Sequence, residues 1–353
     1  MQLLRVLLAA PFSFVWLCIT NIRNTLYDLG VLRSTGFSIP VICVGNLSVG
    51  GTGKTPTINY LIAYLLSMGK NVAVISRGYG RVTKGFLVVD ELSSAASVGD
   101  EPLLFFKRWS GKVVVAVGEK RVLAIRNIRE LYPKLDVFLM DDGFQHRAVQ
   151  PSTSIVLTSF QNPFYRDFIM PSGSLREGRR WARRADIIVV TKSPQIMPEV
   201  EKDKMRARIQ TYTQAGTPVF FCSIQYGRPV SYGKKGEWHK RVFLITGIAS
   251  PAPLLDYLKI EGIEVVTHWE RADHFAYNDQ EMEKIIGEYQ NSGNCVILTT
   301  EKDYVKMSNP KFQRYLDSAP FFYIPIEFSF SKEKENFEAV IAEKVTKNLG
   351  KSV

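Results

Sequence analysis

The sequence contains few cysteines and no long, unbroken hydrophobic segment. Its four cysteines, among 353 residues, are scattered through apolar runs and form no C-x-x-C pair. That pattern argues against a secreted disulfide scaffold and indicates buried thiols in a reducing compartment. We find no internal repeat and no low-complexity segment, and 46% of the residues are hydrophobic. The chain is therefore predicted to be globular, and its length favours two domains of roughly 150 residues each.

The longest apolar stretch without charge lies at the N-terminus, between Arg5 and Arg23. A membrane-spanning helix usually needs about 20 apolar residues, so this stretch, which Pro11 interrupts, is marginal for a span. A signal peptide is a second interpretation, but no small-residue cleavage site is evident before Asn21. We expect residues 1–30 to form an interfacial helix with aromatic side chains among lipid headgroups, and an ordinary buried helix is the open alternative.

Basic residues outnumber acidic ones, giving a formal net charge of +11. Such a charge favours an anionic partner, which could be nucleic acid, an anionic lipid surface or a phosphorylated substrate. No nucleic-acid partner is expected, because the basic residues are not interleaved with aromatic ones in a recognisable binding motif. Residues 171–186 hold five arginines around Trp181, which either bind a phosphate or form a solvated basic face.

Strand-like apolar runs alternate with helical stretches along most of the chain. Each run is apolar or β-branched on both faces, which indicates strands buried in a mainly parallel sheet. The alternation predicts a doubly wound α/β domain of the P-loop NTPase type over residues 31–225. A polar linker or hairpin is predicted over 226–240, a second, smaller α/β domain over 241–331 and a helix over 332–353. Two such domains would leave a cleft between them.

A glycine-rich loop follows the first predicted strand, with the sequence GNLSVGGTGKTP at residues 45–56. A phosphate-binding loop needs glycines that turn backbone N–H groups toward an anion, a lysine for the β- and γ-phosphates, and a hydroxyl for Mg²⁺. The usual spacing has glycine where this chain has Ser48. We predict an ATP site formed by Ser48, Gly50, Gly51, Thr52, Gly53, Lys54 and Thr55.

Two adjacent carboxylates, Asp141 and Asp142, end the apolar run VFLM. The Mg²⁺ that accompanies a nucleoside triphosphate normally takes a second protein ligand at the end of a neighbouring strand. Adjacent carboxylates also repel each other unless a cation lies between them. We therefore predict Thr55, Asp141 and Asp142 as metal ligands, with two solvated turn aspartates as the alternative. The spacing does not decide which aspartate holds the metal.

Phosphoryl transfer to a hydroxyl also needs a group that takes the proton. Asp100 and Glu101 in VGDEP, and His274 in RADHFAY, are the candidates. An acidic pair before proline often only starts a helix, and a lone loop histidine is often only hydrogen-bonded. The residues alone therefore leave the base open.

Together these motifs resemble the tetraacyldisaccharide 4'-kinase family. In family order between residues 41 and 306 the chain carries VGNLSVGGTGKTP, ISRGYG, VGDEP, DDGFQHR, PSGSLRE, TGIASP, DHF and TEKDYVK. The family has serine or threonine at the position of Ser48. The resemblance implies transfer of the γ-phosphate of ATP to the 4'-hydroxyl of an acylated glucosamine disaccharide 1-phosphate, which forms lipid IVA in lipid A biosynthesis. We expect a monomer on the cytoplasmic face of the bacterial inner membrane, peripheral or monotopic.

The resemblance also implies roles for single residues. Asp100 is similar to the family's base on the sugar hydroxyl, His274 to its partner from the second domain, and Lys54 to the residue that offsets charge on the transferred phosphoryl group. Further residues expected near the phosphates or the substrate are Arg77, Glu101, Gln145, His146 and Arg176. The segment TEKD at 300–303 either contacts the nucleotide base or closes the cleft.

A nucleotide-switch ATPase that cycles on and off membranes is the main alternative function. Loops of the ParA/MinD type carry a lysine where this chain has Val49, and the histidine of DHF also speaks against a switch. A switch would hydrolyse ATP with membrane or protein alone, whereas a kinase needs its acceptor lipid.

Overall fold

The structure is a computed structural model that describes residues 2–349. Within that range the α-helices are α1 (Gln2–Asp28), α2 (Lys54–Ser67), α3 (Ala95–Val98), α4 (Asp100–Arg108), α5 (Arg121–Leu131), α6 (Glu199–Gln210), α7 (Ala252–Ile260), α8 (Asp279–Asn291), α9 (Glu301–Met307), α10 (Gln313–Leu316) and α11 (Lys334–Leu349). Short 3₁₀ helices span Phe164–Arg166, Arg179–Arg184, Pro310–Phe312 and Ser331–Glu333. The strands are β1 (Val41–Asn46), β2 (Val72–Ser76), β3 (Leu87–Val88), β4 (Val113–Val117), β5 (Val137–Asp141), β6 (Thr153–Ser159), β7 (Ile187–Thr191), β8 (Val219–Phe221), β9 (Ser223–Tyr226), β10 (Val230–Ser231), β11 (Arg241–Thr246), β12 (Glu264–Glu270), β13 (Val296–Thr300), β14 (Phe321–Ile324) and β15 (Ile326–Ser329).

The larger sheet has the strand order β3-β4-β2-β5-β1-β6-β7-β8. Its strands run parallel except for β3, which pairs antiparallel with β4 at the edge. Strands β1, β2 and β7 are buried along their whole length and rich in valine and isoleucine, as expected for a sheet with helices on both faces. The predicted α/β class with a large, mainly parallel sheet is confirmed.

Helices cover both faces of this sheet. Helices α2, α4 and α11 pack on one face, where Ile58, Phe105 and Phe337 have no exposed surface. Helices α5 and α6 pack on the other through Ile125 and Ile209, which are equally buried. Full burial of such a side chain stabilises the fold by about 1.5–3 kcal/mol. The C-terminal helix α11 thus belongs to the core of the first sheet, although it follows the second sheet in the chain.

The smaller sheet has the order β10-β14-β13-β11-β12 and its own core, which includes Phe243 and Phe321. Strand β10, antiparallel to β14, lies within the polar stretch 226–240. The hydroxyl of Tyr232 is 3.0 Å from that of Thr299 on β13. This stretch is therefore tied to the second sheet. A two-residue strand has no periodicity, so sequence reasoning could not find it.

Two further contacts join the sheets. Strands β9 and β15 form an antiparallel ribbon between them. Arg108 on α4 donates hydrogen bonds of 2.9 and 3.1 Å to the carboxylate of Glu301 on α9, and one of 2.9 Å to Glu327 on β15. One nitrogen of Arg108 thus contacts both carboxylate oxygens of Glu301, and this partly buried contact holds α4 and α9 side by side along the cleft.

Helix α1 packs against the body through its polar side. The Ser13 hydroxyl donates to the carbonyl of Ile169 at 3.1 Å, and the buried Asn24 amide donates to Glu177 at 2.6 Å. The opposite side exposes apolar residues, with Phe12 70% and Ile19 52% exposed. This arrangement reverses that of an ordinary surface helix, whose apolar side faces the core. No helix within residues 2–349 has the length and apolar content that crossing a membrane requires.

Candidate active site

The glycine-rich loop connects β1 to the first turn of α2. Gly50 and Gly53 have positive φ angles of 104° and 87°, which L-residues with side chains rarely adopt. A Cβ atom on Gly53 would also overlap the ring of Phe328 on β15. Gly53 is therefore required by backbone conformation and by packing. Since the amides at the start of α2 have no partners within the helix, this end of α2 is suited to bind an anion.

The loop departs from the usual spacing at Ser48, and the structure accounts for this. Ser48 is buried and forms an isolated antiparallel bridge with Leu175. Next to it, the Val49 amide donates to the carbonyl of Ser174 at 2.8 Å. Ser48 is not among the described residues with positive φ. A neighbouring segment thus fixes this part of the loop, and no glycine is needed.

Two further loop residues, Gly51 and Thr52, differ in their surroundings. Gly51 is exposed, with open space where a Cβ would stand. Thr52 is buried, and its hydroxyl has no hydrogen-bond partner among the described residues. The carbonyl of Thr52 accepts a bond of 2.8 Å from the hydroxyl of Thr191 at the end of β7. The loop is therefore anchored to the sheet beside an unpaired buried hydroxyl.

Two cations lie against Asp142. The Lys54 ammonium is 3.7 Å from Asp142 Oδ1, and Arg176 donates to the same oxygen at 2.8 Å. Burial would raise the pKa of the Asp142 carboxyl, but Lys54 and Arg176 together lower it. Asp142 also has a φ of 45°, an uncommon conformation for a residue other than glycine. Such conformations concentrate at functional sites.

The neighbouring carboxylate, Asp141, is almost fully buried at the end of β5. The Ser76 hydroxyl donates to its Oδ2 at 3.0 Å, while its Oδ1 has no partner among the described residues. Burial, with Glu101 and Asp142 nearby, raises the pKa of Asp141 to about 7. An unpaired buried carboxylate oxygen next to a second carboxylate fits a divalent cation.

The described residues contain no group of three or more histidine, cysteine, aspartate or glutamate side chains that could hold a metal ion. A cation here would therefore need phosphate or water oxygens as further ligands, which is the usual mode for Mg²⁺. The Thr55 hydroxyl donates to Glu101 Oε1 at 3.1 Å, and Lys302 of α9 is 3.2 Å from the same oxygen. Glu101 thus connects the loop to the second domain.

Asp100 and His274 form a pair across the cleft. Asp100 is the first residue of α4 and only 6% exposed, and its Oδ2 lies 2.8 Å from His274 Nδ1 in the loop after β12. Burial would raise the Asp100 pKa, but the His274 hydrogen bond and the charges of Lys302 and Lys306 lower it to about 2. The bond to Asp100 in turn raises the pKa of His274. The pairing therefore favours the ionised carboxylate of Asp100 and the protonated form of His274.

Strain accompanies this pair. His274 has a φ of 60°, and within the described chain only Asp142, Lys192 and His274 combine a positive φ with a side chain. Two of these three residues are thus predicted site residues. Because this conformation costs free energy, the surrounding contacts must hold it in place.

The remaining predicted residues lie beside the aspartates. The Gln145 amide donates to the carbonyl of Asn46 and to Glu177, both at 2.9 Å. Burial, together with Arg121, Arg23 and Arg77, lowers the pKa of His146 to about 4. The imidazole of His146 is therefore neutral among arginines. This concentration of positive charge suits an anionic ligand.

Sequence reasoning left the role of α9 open between base contact and cleft closure, and it did not single out Lys302 and Lys306. Thr300 caps this helix by accepting from the Asp303 amide, and the fully buried Asp303 accepts bonds from the Gly247 amide and the Tyr277 hydroxyl. Because both oxygens of Asp303 are engaged inside the second domain, the geometry favours cleft closure over base contact for TEKD. Lys302 and Lys306, spaced by four residues on one side of α9, are the groups that reach Asp100 and Glu101. Their spacing of four residues is the feature of the sequence from which these two lysines could have been identified.

Glu177, Ser76 and Arg121 were also missed. Glu177 is 2% exposed, and its carboxylate accepts hydrogen bonds from the side chains of Asn24, Gln145 and Arg184. It therefore links α1 to the candidate site. Arg121, the first residue of α5, is buried with its Nε unpaired among the described residues. Ser76 and Glu177 lie within the motifs ISRGYG and PSGSLRE. Their roles could still not be predicted, because Ser76 pairs with Asp141, and Glu177 with Asn24 and Gln145, across long stretches of sequence.

Comparison with known proteins gives a consistent result. Residues 4–346 match the family described as Tetraacyldisaccharide-1-P 4'-kinase. Relatives named tetraacyldisaccharide 4'-kinase in Cytophaga hutchinsonii and Flavobacterium johnsoniae are 37% and 40% identical, each alignment covering 99% of both chains. The crystal structure of LpxK from Aquifex aeolicus in complex with ATP superposes with a TM-score of 0.74 at 30% identity, covering 97% of this chain and 99% of that one.

Proposed function

The chain belongs to the tetraacyldisaccharide 4'-kinase family, and from that premise we propose that it transfers the γ-phosphate of ATP to the 4'-hydroxyl of tetraacyldisaccharide 1-phosphate. The product is lipid IVA. The observation that carries the proposal is the pairing of Asp100 with His274 across the cleft, at 2.8 Å. A switch ATPase transfers phosphate to water and does not need a carboxylate positioned to accept a proton from an acceptor hydroxyl.

The phosphate loop and the two aspartates form the ATP side of the proposed site. The amides of the loop and Lys54 hold the phosphates, and Arg176 lies within reach because it shares Asp142 Oδ1 with Lys54. Thr55, Asp141 and Asp142 are the residues that would hold Mg²⁺, and the unpaired Oδ1 of Asp141 supports this assignment. Bound Mg²⁺ neutralises charge on the β- and γ-phosphate oxygens.

Asp100 acts on the acceptor hydroxyl. As the hydroxyl oxygen bonds to the γ-phosphorus, the bond to the β-phosphate oxygen breaks, ADP leaves, and the hydroxyl proton passes to Asp100. A carboxylate with a pKa of about 2 is a weak base. That suffices, because the loose transition state of phosphoryl transfer depends more on positioning than on early proton removal. His274 orients the carboxylate.

The acceptor side is formed by arginines. Arg77 and Arg121 lie close enough to His146 to lower its pKa, and Arg121 also interacts with both Asp141 and Asp142. The acceptor is a phosphorylated, anionic sugar, which this cluster attracts. The neutral imidazole of His146 can accept or donate a hydrogen bond to a sugar hydroxyl.

Helix α1 places the site at a membrane surface. Its exposed residues Phe12, Val15 and Ile19 suit the headgroup boundary of a bilayer, and its polar side holds it to the body next to Arg176. The Trp16 indole donates to the Arg176 carbonyl at 2.9 Å. We place the protein on the cytoplasmic face of the inner membrane, as a peripheral or monotopic protein. We further propose that it acts as a monomer, because the pairing of Asp100 with His274 needs no second copy of the chain.

The test is the dependence of ATP consumption on the acceptor. The full chain is incubated with Mg-ATP in detergent micelles that contain the disaccharide 1-phosphate, no acceptor, or the same lipid already phosphorylated at the 4' position. A kinase forms ADP only in the mixture whose lipid has a free 4'-hydroxyl, and it forms one ADP for each phosphate transferred to the lipid. Equal ADP formation in all three mixtures, or with plain vesicles, would favour the switch ATPase.

A further inference from the structure

A cleft lies on the larger sheet's side of the protein, outside the candidate active site. A cleft of about 1030 Å³ opens between the 3₁₀ turn Phe164–Arg166 and helix α6. One wall carries Phe160, Tyr165 and Arg166, and the other carries residues of α6. The cleft shares no lining residue with the phosphate loop, the aspartate pair or the Asp100–His274 pair. The proposed reaction therefore leaves it without a role.

The charge of this cleft is positive and unpaired. Val200, Lys204 and Arg208 are spaced by four residues, so they share one face of α6, and all three line the cleft. Within residues 2–349 no ion pair of 4.0 Å or less involves Arg166, Lys204 or Arg208. Glu201 is the one acidic residue of the lining.

The other face of the same helix provides an internal comparison. Lys202 lies 2.8 Å from Glu199, and Arg206 lies 2.9 Å from Asp203 and 2.6 Å from Glu333. Every basic residue on that face thus has an acidic partner within the protein. The cations that line the cleft do not, and remain available to an external anion.

The floor of the cleft is apolar. Phe160 and Met205 contribute to it, and Met205 belongs to the core beneath the sheet. The Arg166 guanidinium lies 5.8 Å from the centre of the Tyr165 ring. A cationic rim over an apolar, aromatic floor matches an amphiphile that carries a phosphate above hydrocarbon chains. A free polyanion would leave the apolar floor uncovered.

The position of the cleft indicates where such an amphiphile comes from. The carbonyl of Ile169 accepts the hydrogen bond from Ser13 of α1, and Ile169 follows Arg166 by three residues. Three residues span at most roughly 11 Å, so the cleft adjoins the N-terminal half of α1. Between them Phe168 is 56% exposed, and on α1 Phe12 is 70% exposed. Exposed aromatic side chains thus lie both on α1 and on the short segment that joins its contact to the cleft.

We propose that this cleft binds the phosphate headgroup of an anionic phospholipid, with Arg166, Lys204 and Arg208 around the phosphate. It gives the protein a charge-dependent membrane contact in addition to the apolar contact of α1, on whose proposed membrane role the inference rests. Part of the net charge of +11 thereby contributes to membrane binding. It also restricts how the protein rotates about α1 at the surface.

The test compares the full chain with the double variant Arg166→Gln, Arg208→Gln in cosedimentation with vesicles. Each basic residue near an anionic surface strengthens binding roughly fivefold, so the variant should bind phosphatidylglycerol-rich vesicles roughly 25-fold more weakly. Binding to phosphatidylcholine vesicles should not change. Both residues are exposed, so the thermal midpoint should also be unchanged.

A matched control removes the same charge elsewhere. Arg129→Gln with Lys134→Gln neutralises two exposed residues, one in the last turn of α5 and one three residues after its end, and neither lines the cleft. This control should lose no more than about threefold on anionic vesicles, through net charge alone. An equal loss in control and variant would overturn the proposal. So would an equal loss of the variant on neutral vesicles, since an anion site cannot act there.

Two further measurements separate the possible sources of phosphate and the two proposals. Millimolar glycerol phosphate or inorganic phosphate should not reduce the binding of wild type to anionic vesicles as much as the double substitution does. An equal reduction would overturn the lipid site and indicate a site for soluble phosphate. Phosphate transfer to the acceptor in detergent micelles should stay within about twofold of wild type in the variant. Weaker vesicle binding with unchanged phosphate transfer would support the phospholipid site in the cleft. Unchanged vesicle binding would overturn that site without affecting the proposed kinase activity.

Discussion

Replacing Asp100 by asparagine changes the charge at the centre of the site and little of its shape. We expect the rate of phosphate transfer to fall by about 10²–10⁴, the usual contribution of a positioned acid or base. The dissociation constant for ATP should stay within about threefold, because no described hydrogen bond or ion pair joins Asp100 to the phosphate loop.

The structural effect can be estimated from the pKa of Asp100. Its surroundings lower that pKa from 3.8 to about 2, although burial acts in the opposite direction. Since one pKa unit corresponds to about 1.4 kcal/mol, the ionised form is favoured by about 2–3 kcal/mol. Asp100 is only 6% exposed, so screening by solvent reduces this value little. The cations concerned, His274, Lys302 and Lys306, all belong to the second domain. Asparagine should therefore weaken domain closure by up to about 2 kcal/mol.

A double-mutant cycle measures whether Asp100 and His274 act as a unit. The variants Asp100→Asn, His274→Gln and their combination are compared in the micelle assay, and ATP binding is measured by calorimetry. The combination should be scarcely slower than Asp100→Asn alone, because His274 acts through Asp100. Asp256→Asn on α7, an exposed carboxylate, is the matched control and should be unchanged. Additive losses, or a loss of ATP affinity as large as the loss of rate, would refute the assigned roles.

Three other predictions follow from single features. Because its pKa is raised, His274 contributes its full stabilisation below pH 6.5 and loses it as pH rises through the raised value. The difference in unfolding free energy between wild type and His274→Gln should therefore shrink as pH rises. A difference that does not change with pH between 6 and 10 would contradict the ion pair. Gly53→Ala should cost about 1–3 kcal/mol in urea denaturation and Gly51→Ala less than about 1, because Gly53, unlike Gly51, combines a positive φ with a crowded site; equal costs would contradict this reasoning. Phe12→Ser should weaken binding to vesicles at least about tenfold, whereas Leu92→Ser, a leucine 93% exposed on the body, should not, and equal effects would remove α1 as the membrane contact.

Much of the first domain could be predicted because its signals are local. The strands of the large sheet are continuous β-branched runs, as in β1 and β7, and such runs fit only a sheet covered on both faces. The order of glycines, Lys54 and Thr55 predicts the loop, since each residue type meets a separate need of a bound phosphate. These features need no partner that is distant in sequence.

The features that could not be predicted depend on tertiary contacts. Ser48 departs from the usual loop spacing, and the family resemblance accepts serine there without giving a physical reason, which is its bridge to Leu175. The ribbon of β9 and β15 pairs segments about 100 residues apart, and neither strand has a strong period of its own. Lys302 and Lys306 read as ordinary helix lysines, and only the closed cleft brings them to Glu101 and Asp100.

The most direct measurement follows labelled γ-phosphate from Mg-ATP into the acylated disaccharide 1-phosphate in mixed micelles, for wild type and Lys54→Ala. We predict label in the lipid at the 4' position with wild type and at least about a 10²-fold lower rate with the variant, because Lys54 offsets charge on the transferred group. Steady release of free phosphate by the wild type, with no label in the lipid, would contradict it.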